Sequence, residues 1–234
     1  MNWKTWTMAA ALAAGLSGCR TVGPDAAEDT MANAKEEQGA RLFLMRWNPQ
    51  ISSFKAERFP EGMRRLRRGE PTYMDWNAWD WRDIREGDWA LWVRVGCGAE
   101  DGIVGIWRLT GEVEEATSWR GDGSLLHYAW GRIVMMQEPS ATGILGAASL
   151  EKAFPEINWR GGHAGVLVES ELAERLARHV ADELAHAKGL KRSAFASEPP
   201  GKEGALGVAA AMLADLCPEP PEAEAGPGAR DGQD

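Results

Sequence analysis

Between Arg41 and Leu184 short apolar runs alternate with breaks marked by glycine and proline, and the runs carry two different periods. Leu42, Phe43, Leu44, Met45 and Trp47, interrupted only by Arg46, predict a strand buried on both faces. Asn48-Pro49 stops it, because proline has no amide proton for a ladder and biases the preceding residue to extended geometry. Ser52 or Ser53 then offers an N-cap for a helix from about Phe54 to Arg68. The corner groups an indole, an amide and two hydroxyls, which reads either as the floor of a pocket for a flat, hydrogen-bonding ligand or as a well-capped strand-to-helix turn.

Downstream, Tyr73 to Trp81 forms a Trp-rich connection and Arg85-Glu86-Gly87-Asp88 a turn. Trp89 to Val95 and Ile103 to Trp107 predict two strands joined by a glycine-containing loop, with Gly105 marking a bend or a close backbone approach. A third strand is expected at about Leu125 to Gln137, with Tyr128, Trp130, Ile133 and Met135 inward. Ser149 is the expected cap of a short helix ending before Pro155, and Trp159 to His163 a glycine turn into a last strand, Val166 to Val168. Ser170 then caps a helix to about Ala187, with Leu172, Leu176, Val180 and Leu184 on its core face. No internal repeat is visible. The order argues an α+β domain built on a small mixed barrel with flanking helices.

Composition separates this middle from the ends. The net charge is −9, yet residues 41–190 hold 19 Lys+Arg against 22 Asp+Glu, a balance of only −3, so nothing there demands a polyanion. Residues 1–18 carry a short positive start, an apolar Ala-rich run too short to span a bilayer, and Leu16-Ser17-Gly18 before Cys19, which resembles the lipobox of bacterial lipoproteins. That resemblance implies cleavage before Cys19, a lipid on its thiol and a cell-envelope address. A core helix at the N-terminus is the alternative, with a cytoplasmic location if the signal is not used. Residues 19–40 read as a linker, 41–190 as the domain and 191–234 as a mostly disordered tail in which only 205–216 has a helical pattern. Cys97 and Cys217 lie in different kinds of segment, and no disulfide is expected.

Four stretches resemble the EVE-like members of the PUA superfamily over about residues 41–184. Phe43-Leu44-Met45-Arg46-Trp47-Asn48-Pro49 with Ser53-Phe54 is similar to that family's opening strand and corner, and Arg85 to Asp88 to its turn before a strand. Gly102-Ile103-Val104-Gly105-Ile106 is similar to its Gly-Ile-Val-Gly strand, and Arg160-Gly161-Gly162-His163 to its closing turn. The resemblance implies a PUA/EVE-like mixed β-barrel and a non-enzymatic reader that holds a flipped or single-stranded, often modified, nucleobase between aromatic walls. By position it implies a pocket lined by Trp47, Asn48, Ser53, Trp76 and Arg160, with His163 at the mouth. Trp47-Asn48 replaces the family's Ser-Glu, so the identity of the ligand does not carry over.

Catalytic chemistry has little footing. His127, His163, His179 and His186 show no metal-ligand spacing with the cysteines, His179 and His186 are expected on the outer face of the last helix, and no phosphate-loop, dinucleotide or nucleophile-elbow motif occurs. Asp75, Asp80 and Asp83 read as loop caps and partners of Arg82 and Arg85, or as a cation site. Arg64, Arg65, Arg67 and Arg68 read as a solvated helix end or as a phosphate-contacting patch. No cofactor, metal or catalytic residue is expected. Partners are a nucleobase, nucleoside or single-stranded nucleic acid, and a membrane through Cys19. The alternative is an envelope-anchored interaction lipoprotein whose Trp-rich barrel is only a scaffold for protein or cell-wall partners. The two readings part on one point: a pocket requires Trp47 and Trp76 to be partly exposed to one cavity beside Asn48, whereas a scaffold packs both rings.

Overall fold

The computed structural model describes residues 39–137, 145–186, 195–197 and 205–217. The leader at 1–18, Cys19, nearly all of the linker and most of the tail lie outside the described residues. The elements in order are β1 (Leu42–Trp47), a 3₁₀ turn (Ala56–Arg58), α1 (Phe59–Arg67), β2 (Tyr73–Asn77), β3 (Glu86–Arg94), β4 (Gly102–Thr117), β5 (Leu125–Gln137), α2 (Ala147–Ala153), β6 (Val166–Leu167), α3 (Ser170–His186), β7 (Phe195–Ser197) and α4 (Ala205–Leu216).

The strands make one mixed sheet in the order β2-β5-β4-β3-β1-β6, with β7 beside β5 next to the end of β2. β1 and β3 are parallel and the other ladders antiparallel. Register shifts interrupt β3–β4 at Glu86/Trp89 and Trp92/Val93, and β4–β5 at Ile106/Trp107 and Leu109/Val113. Such bulges bend a sheet and sharpen its twist. The ladder nevertheless does not close, so the expected barrel is an open sheet whose two ends meet through individual hydrogen bonds. The Trp79 and Asp80 amides donate to Ala164 O (2.8 Å) and Gly165 O (2.9 Å), and the Leu167 amide donates to Asp80 Oδ2 (2.8 Å).

β1 is buried on both faces, as its continuous apolar run predicts. Leu42 and Leu44 join β3 and β4 under α2, α3 and α4, while Phe43, Met45 and Trp47 face the inside of the bent sheet with Phe59, Met63 and Leu66 of α1. In this second layer Trp47 stacks on Phe59 at 4.8 Å, Phe59 on Trp92 at 4.9 Å, and Trp92 meets Trp107 edge-on at 5.2 Å. A buried indole removes about 200 Å² from water, roughly 5 kcal/mol of transfer free energy, so these rings hold the interior together.

Several expected details differ. The first helix begins at Phe59 rather than Phe54 and has no side-chain cap, because Ser52 Oγ accepts the Phe54 amide (3.1 Å) in a local turn and Pro60 starts the helix instead. Gly146 rather than Ser149 precedes α2, and Glu169 rather than Ser170 caps α3, its carboxylate accepting the Leu172 amide (3.2 Å). The Trp-rich connection begins as a strand, β2. His179 does not lie on the outer face of α3: its ring meets Phe154 at 5.3 Å. The side chain of His186 lies outside the described residues. The tail contributes a strand, and α4 buries Val208, Ala209, Met212 and Leu216 in the helix-side core.

Candidate ligand-binding site

The residues before β6 form the junction that joins the two ends of the sheet. Gly165 donates its amide to Leu44 O of β1 (2.8 Å) and has φ +66°, and a Cβ there would lie 2.3 Å from Ala78 Cα. Only glycine allows two backbones so close in that conformation. Arg46 of β1 reaches out beneath the same turn. Its Nε and Nη2 donate to Asn158 O (3.3 and 3.1 Å) and its Nη1 to His163 O (2.6 Å). Burial among these carbonyls pushes the Arg46 guanidinium below its usual range.

On this frame the His163 ring stacks on Trp79, with centroids 3.9 Å apart and planes 16° apart. Trp79 is 61% exposed, so the ring face away from His163 is left to solvent. Two residues on, Trp81 stacks on His127 at 3.9 Å, and Arg82 lies over the Trp81 ring at 4.3 Å. A flat, polarizable surface backed by an imidazole can hold another flat ring by stacking.

The six expected pocket residues are not all brought together. Trp47 is wholly buried with its Nε1 donating to Phe54 O (2.9 Å), and Trp76 is 5% exposed with its Nε1 donating to Arg46 O (2.9 Å). Both rings are packed in a filled core, so the pocket expected between them beside Asn48 is not formed, and by this test their packing is that of a scaffold. The neighbouring Trp92 and Trp107 have indole N–H groups without an acceptor among the described residues. Their edge-on contact offsets part of a cost of about 1–3 kcal/mol each.

Asn48 is half-buried in a turn: its Oδ1 accepts the Gln50 amide (3.0 Å), and a Cβ at Gly96 would lie 2.5 Å from its Nδ2. Ser53 is exposed. Arg160 points to another cluster, donating to Glu151 Oε1 (2.8 Å), Gly98 O (2.8 Å) and the buried Asp101 Oδ2 (3.4 Å), and so ties α2 to the loop before β4. Of the six, only His163 faces the exposed ring. Trp79 and Arg46 were missed as site residues. An indole flanked by Ala78 and Asp80, beside two other tryptophans, gives no local sign of which ring is outside.

Other candidates resolve structurally. Asp80 pins β6, Asp83 is 3.8 Å from Arg41, and no cluster of metal-ligating side chains occurs among the described residues. Arg64, Arg65 and Arg68 pair with Glu61 and Glu70 on the surface of α1. Cys97 and Cys217 are free thiols. A cleft of about 380 Å³, open to solvent, lies between Tyr73, Arg108, Thr110 and Arg132, away from the expected pocket. No helix among the described residues is long and apolar enough to cross a membrane.

No model of a known protein family, no characterised protein and no solved structure matches the chain.

Proposed function

We propose that the chain is a non-enzymatic binding module of EVE-like type that holds a flat polar ring, such as a nucleobase or nucleoside, on the outer face of Trp79 beside His163. The carrying observation is the Trp79 ring, 61% exposed, on which among the described residues only the His163 ring stacks. Stacking of a base on such a ring contributes about 1–3 kcal/mol, and the energy is available only where an aromatic face is left open. The EVE-like resemblance supports the same place, since the opening-strand residue Arg46 and the closing-turn residue His163 meet there. Trp47 and Trp76, packed in the core, are not part of this surface, and Asn48 and Arg160 hold turns elsewhere in the fold. The lipobox-like sequence at Cys19 supports a lipid anchor in the cell envelope, which makes free nucleosides or similar rings outside the cytoplasm the ligands to try first.

A second reading is favoured by the packing of Trp47 and Trp76: the sheet is only a scaffold of an anchored interaction protein. Titrating the full chain with a panel of nucleosides, followed by tryptophan fluorescence, separates the two. The module reading expects saturable quenching that Trp79→Ala removes while the thermal midpoint stays within about a degree of wild type, as for an exposed side chain. Absence of saturable binding by any nucleoside would favour the scaffold. For the anchor, the mass of the N-terminal peptide in the membrane fraction of a bacterial host is expected to show an acylated Cys19, and an intact Met1 in the cytosol would refute it.

A further inference from the structure

Ring binding at the junction makes no use of the arginines of α1. This helix buries Phe59, Met63 and Leu66 against the inside of the sheet, so at the helical period Arg64, Arg65 and Arg68 lie on the side away from the core, with Arg67 beside them. Two carboxylates share that surface: Glu61 lies 2.5 Å from Arg64, and Glu70 lies 3.3 Å from Arg65 and 2.5 Å from Arg68. Four guanidiniums against two carboxylates leave a positive surplus. The preceding turn adds Lys55 and Arg58 against Glu57, so residues 55–70 carry six basic side chains to three acidic ones, a balance of +3 in a chain of −9. Arg64 and Arg68 stay more than half exposed within their pairs, at 57% and 52% of the side chain.

Exposed ion pairs of this kind are weak because water screens them, so a phosphate oxygen exchanges with Glu61 or Glu70 at little cost. An anionic lipid surface offers many such oxygens in one plane and a negative potential besides. A tether of about 20 residues from Cys19 reaches up to about 66 Å, several times the radius of gyration of about 15 Å for a domain of this size. It would bring the domain to a bilayer without fixing which face meets it, and charge then decides. The linker adds no attraction, since residues 20–40 hold two basic side chains against five acidic, and Glu112, Glu114 and Glu115 on β4 are repelled. We propose that α1 is the membrane-facing surface of the domain, with Arg64, Arg65, Arg67 and Arg68 resting on the phosphates of anionic lipids and so setting its orientation. The proposal rests on the lipid-anchor reading above, which supplies the membrane, and is independent of ring binding.

Flotation of the full chain carrying Cys19→Ser, to which no lipid is attached, tests it with vesicles of phosphatidylcholine alone and of equal parts phosphatidylcholine and phosphatidylglycerol. The anionic vesicles are expected to bind the chain about tenfold more tightly, and the preference to shrink as salt rises. Arg64→Gln combined with Arg68→Gln, both at exposed positions, is expected to remove most of the preference at an unchanged thermal midpoint. Arg64→Lys combined with Arg68→Lys, which keeps the charge, is expected to retain it. Equal binding to the two vesicles would overturn the proposal, as would a preference that the glutamine pair leaves intact. Single-stranded RNA bound by wild type and lost in the glutamine pair, without any vesicle preference, would overturn it in favour of a nucleic-acid surface. An unacylated Cys19 in the N-terminal mass measurement would overturn the anchor alone, and the vesicles decide the arginine face.

Discussion

Trp47 and Trp79 are the same side chain in opposite surroundings, and the contrast sets what each substitution does. Trp47 is stacked against Phe59 and wholly buried, so Trp47→Ala leaves a cavity and is expected to cost about 3–5 kcal/mol in chemical denaturation. Trp79→Ala removes an exposed ring and is expected to change stability little. Gly165→Ala should also be costly, about 1–3 kcal/mol, because the residue has a positive φ and its new methyl would meet Ala78. The measurement is the shift of the denaturation midpoint, and an unchanged midpoint would mean that the junction relaxes freely. At this scale the sequence was legible where a pattern spoke for both faces at once, as in Leu42 to Trp47. It was not legible for single tryptophans, since an indole serves equally as core, platform or pocket wall.

Elements were read best where one period ran unbroken. β1 and the buried face of α3 follow directly from their apolar spacing, and β5 has its expected bounds, but Trp130, expected inward, is only half-buried and Ala129 holds the core position beside it. β4 was expected to end at Trp107 but continues to Thr117, because the ladder with β5 carries the exposed Glu112, Glu114 and Glu115 past the core, with only Val113 of that stretch packing against it. β2 was hidden inside the Trp-rich stretch, although Met74 and Trp76 alternate with outward Tyr73, Asp75 and Asn77. Asp75 carries a further consequence. Burial on this strand, with Glu114 adding repulsion, pushes its carboxyl above the usual range. A raised carboxylate pKa means that the folded state binds the proton more tightly than the unfolded state, so stability falls as pH rises from the unfolded value through the folded one. Asp75→Asn is accordingly expected to raise the thermal midpoint at neutral pH, with the gain fading on acidification to below the ordinary aspartate range. A gain that is constant with pH would show that charge is not its cause.

Across the whole molecule, the sheet is covered on one face by helices from both the middle and the end of the chain. The one stretch of the tail with a helical pattern, 205–216, is α4, which packs Val208, Ala209, Met212 and Leu216 onto the core, and Asp215 accepts the Trp89 indole N–H (2.9 Å) and pairs with Arg108. Its small residues gave a helical pattern without showing what the helix would cover. Truncation after residue 204 is therefore expected to expose apolar surface, lower the denaturation midpoint and raise binding of a hydrophobic dye, whereas an unchanged midpoint would mean that α4 adds nothing to the domain. The open sheet departs from the expected barrel for a related reason: local sequence marks strands and turns but not whether two distant edges pair or only touch, as Trp79 and Ala164 do. The ring platform arises from that touch. The most direct measurement is a nucleoside titration of the isotope-labelled full chain, followed at the indole N–H signals, with Trp79 assigned from Trp79→Ala. Binding at the junction predicts that the Trp79 signal and the His163 ring signals move together while Trp47 and Trp76 stay fixed. Movement of Trp47 and Trp76 without Trp79, or no movement at all, would contradict it.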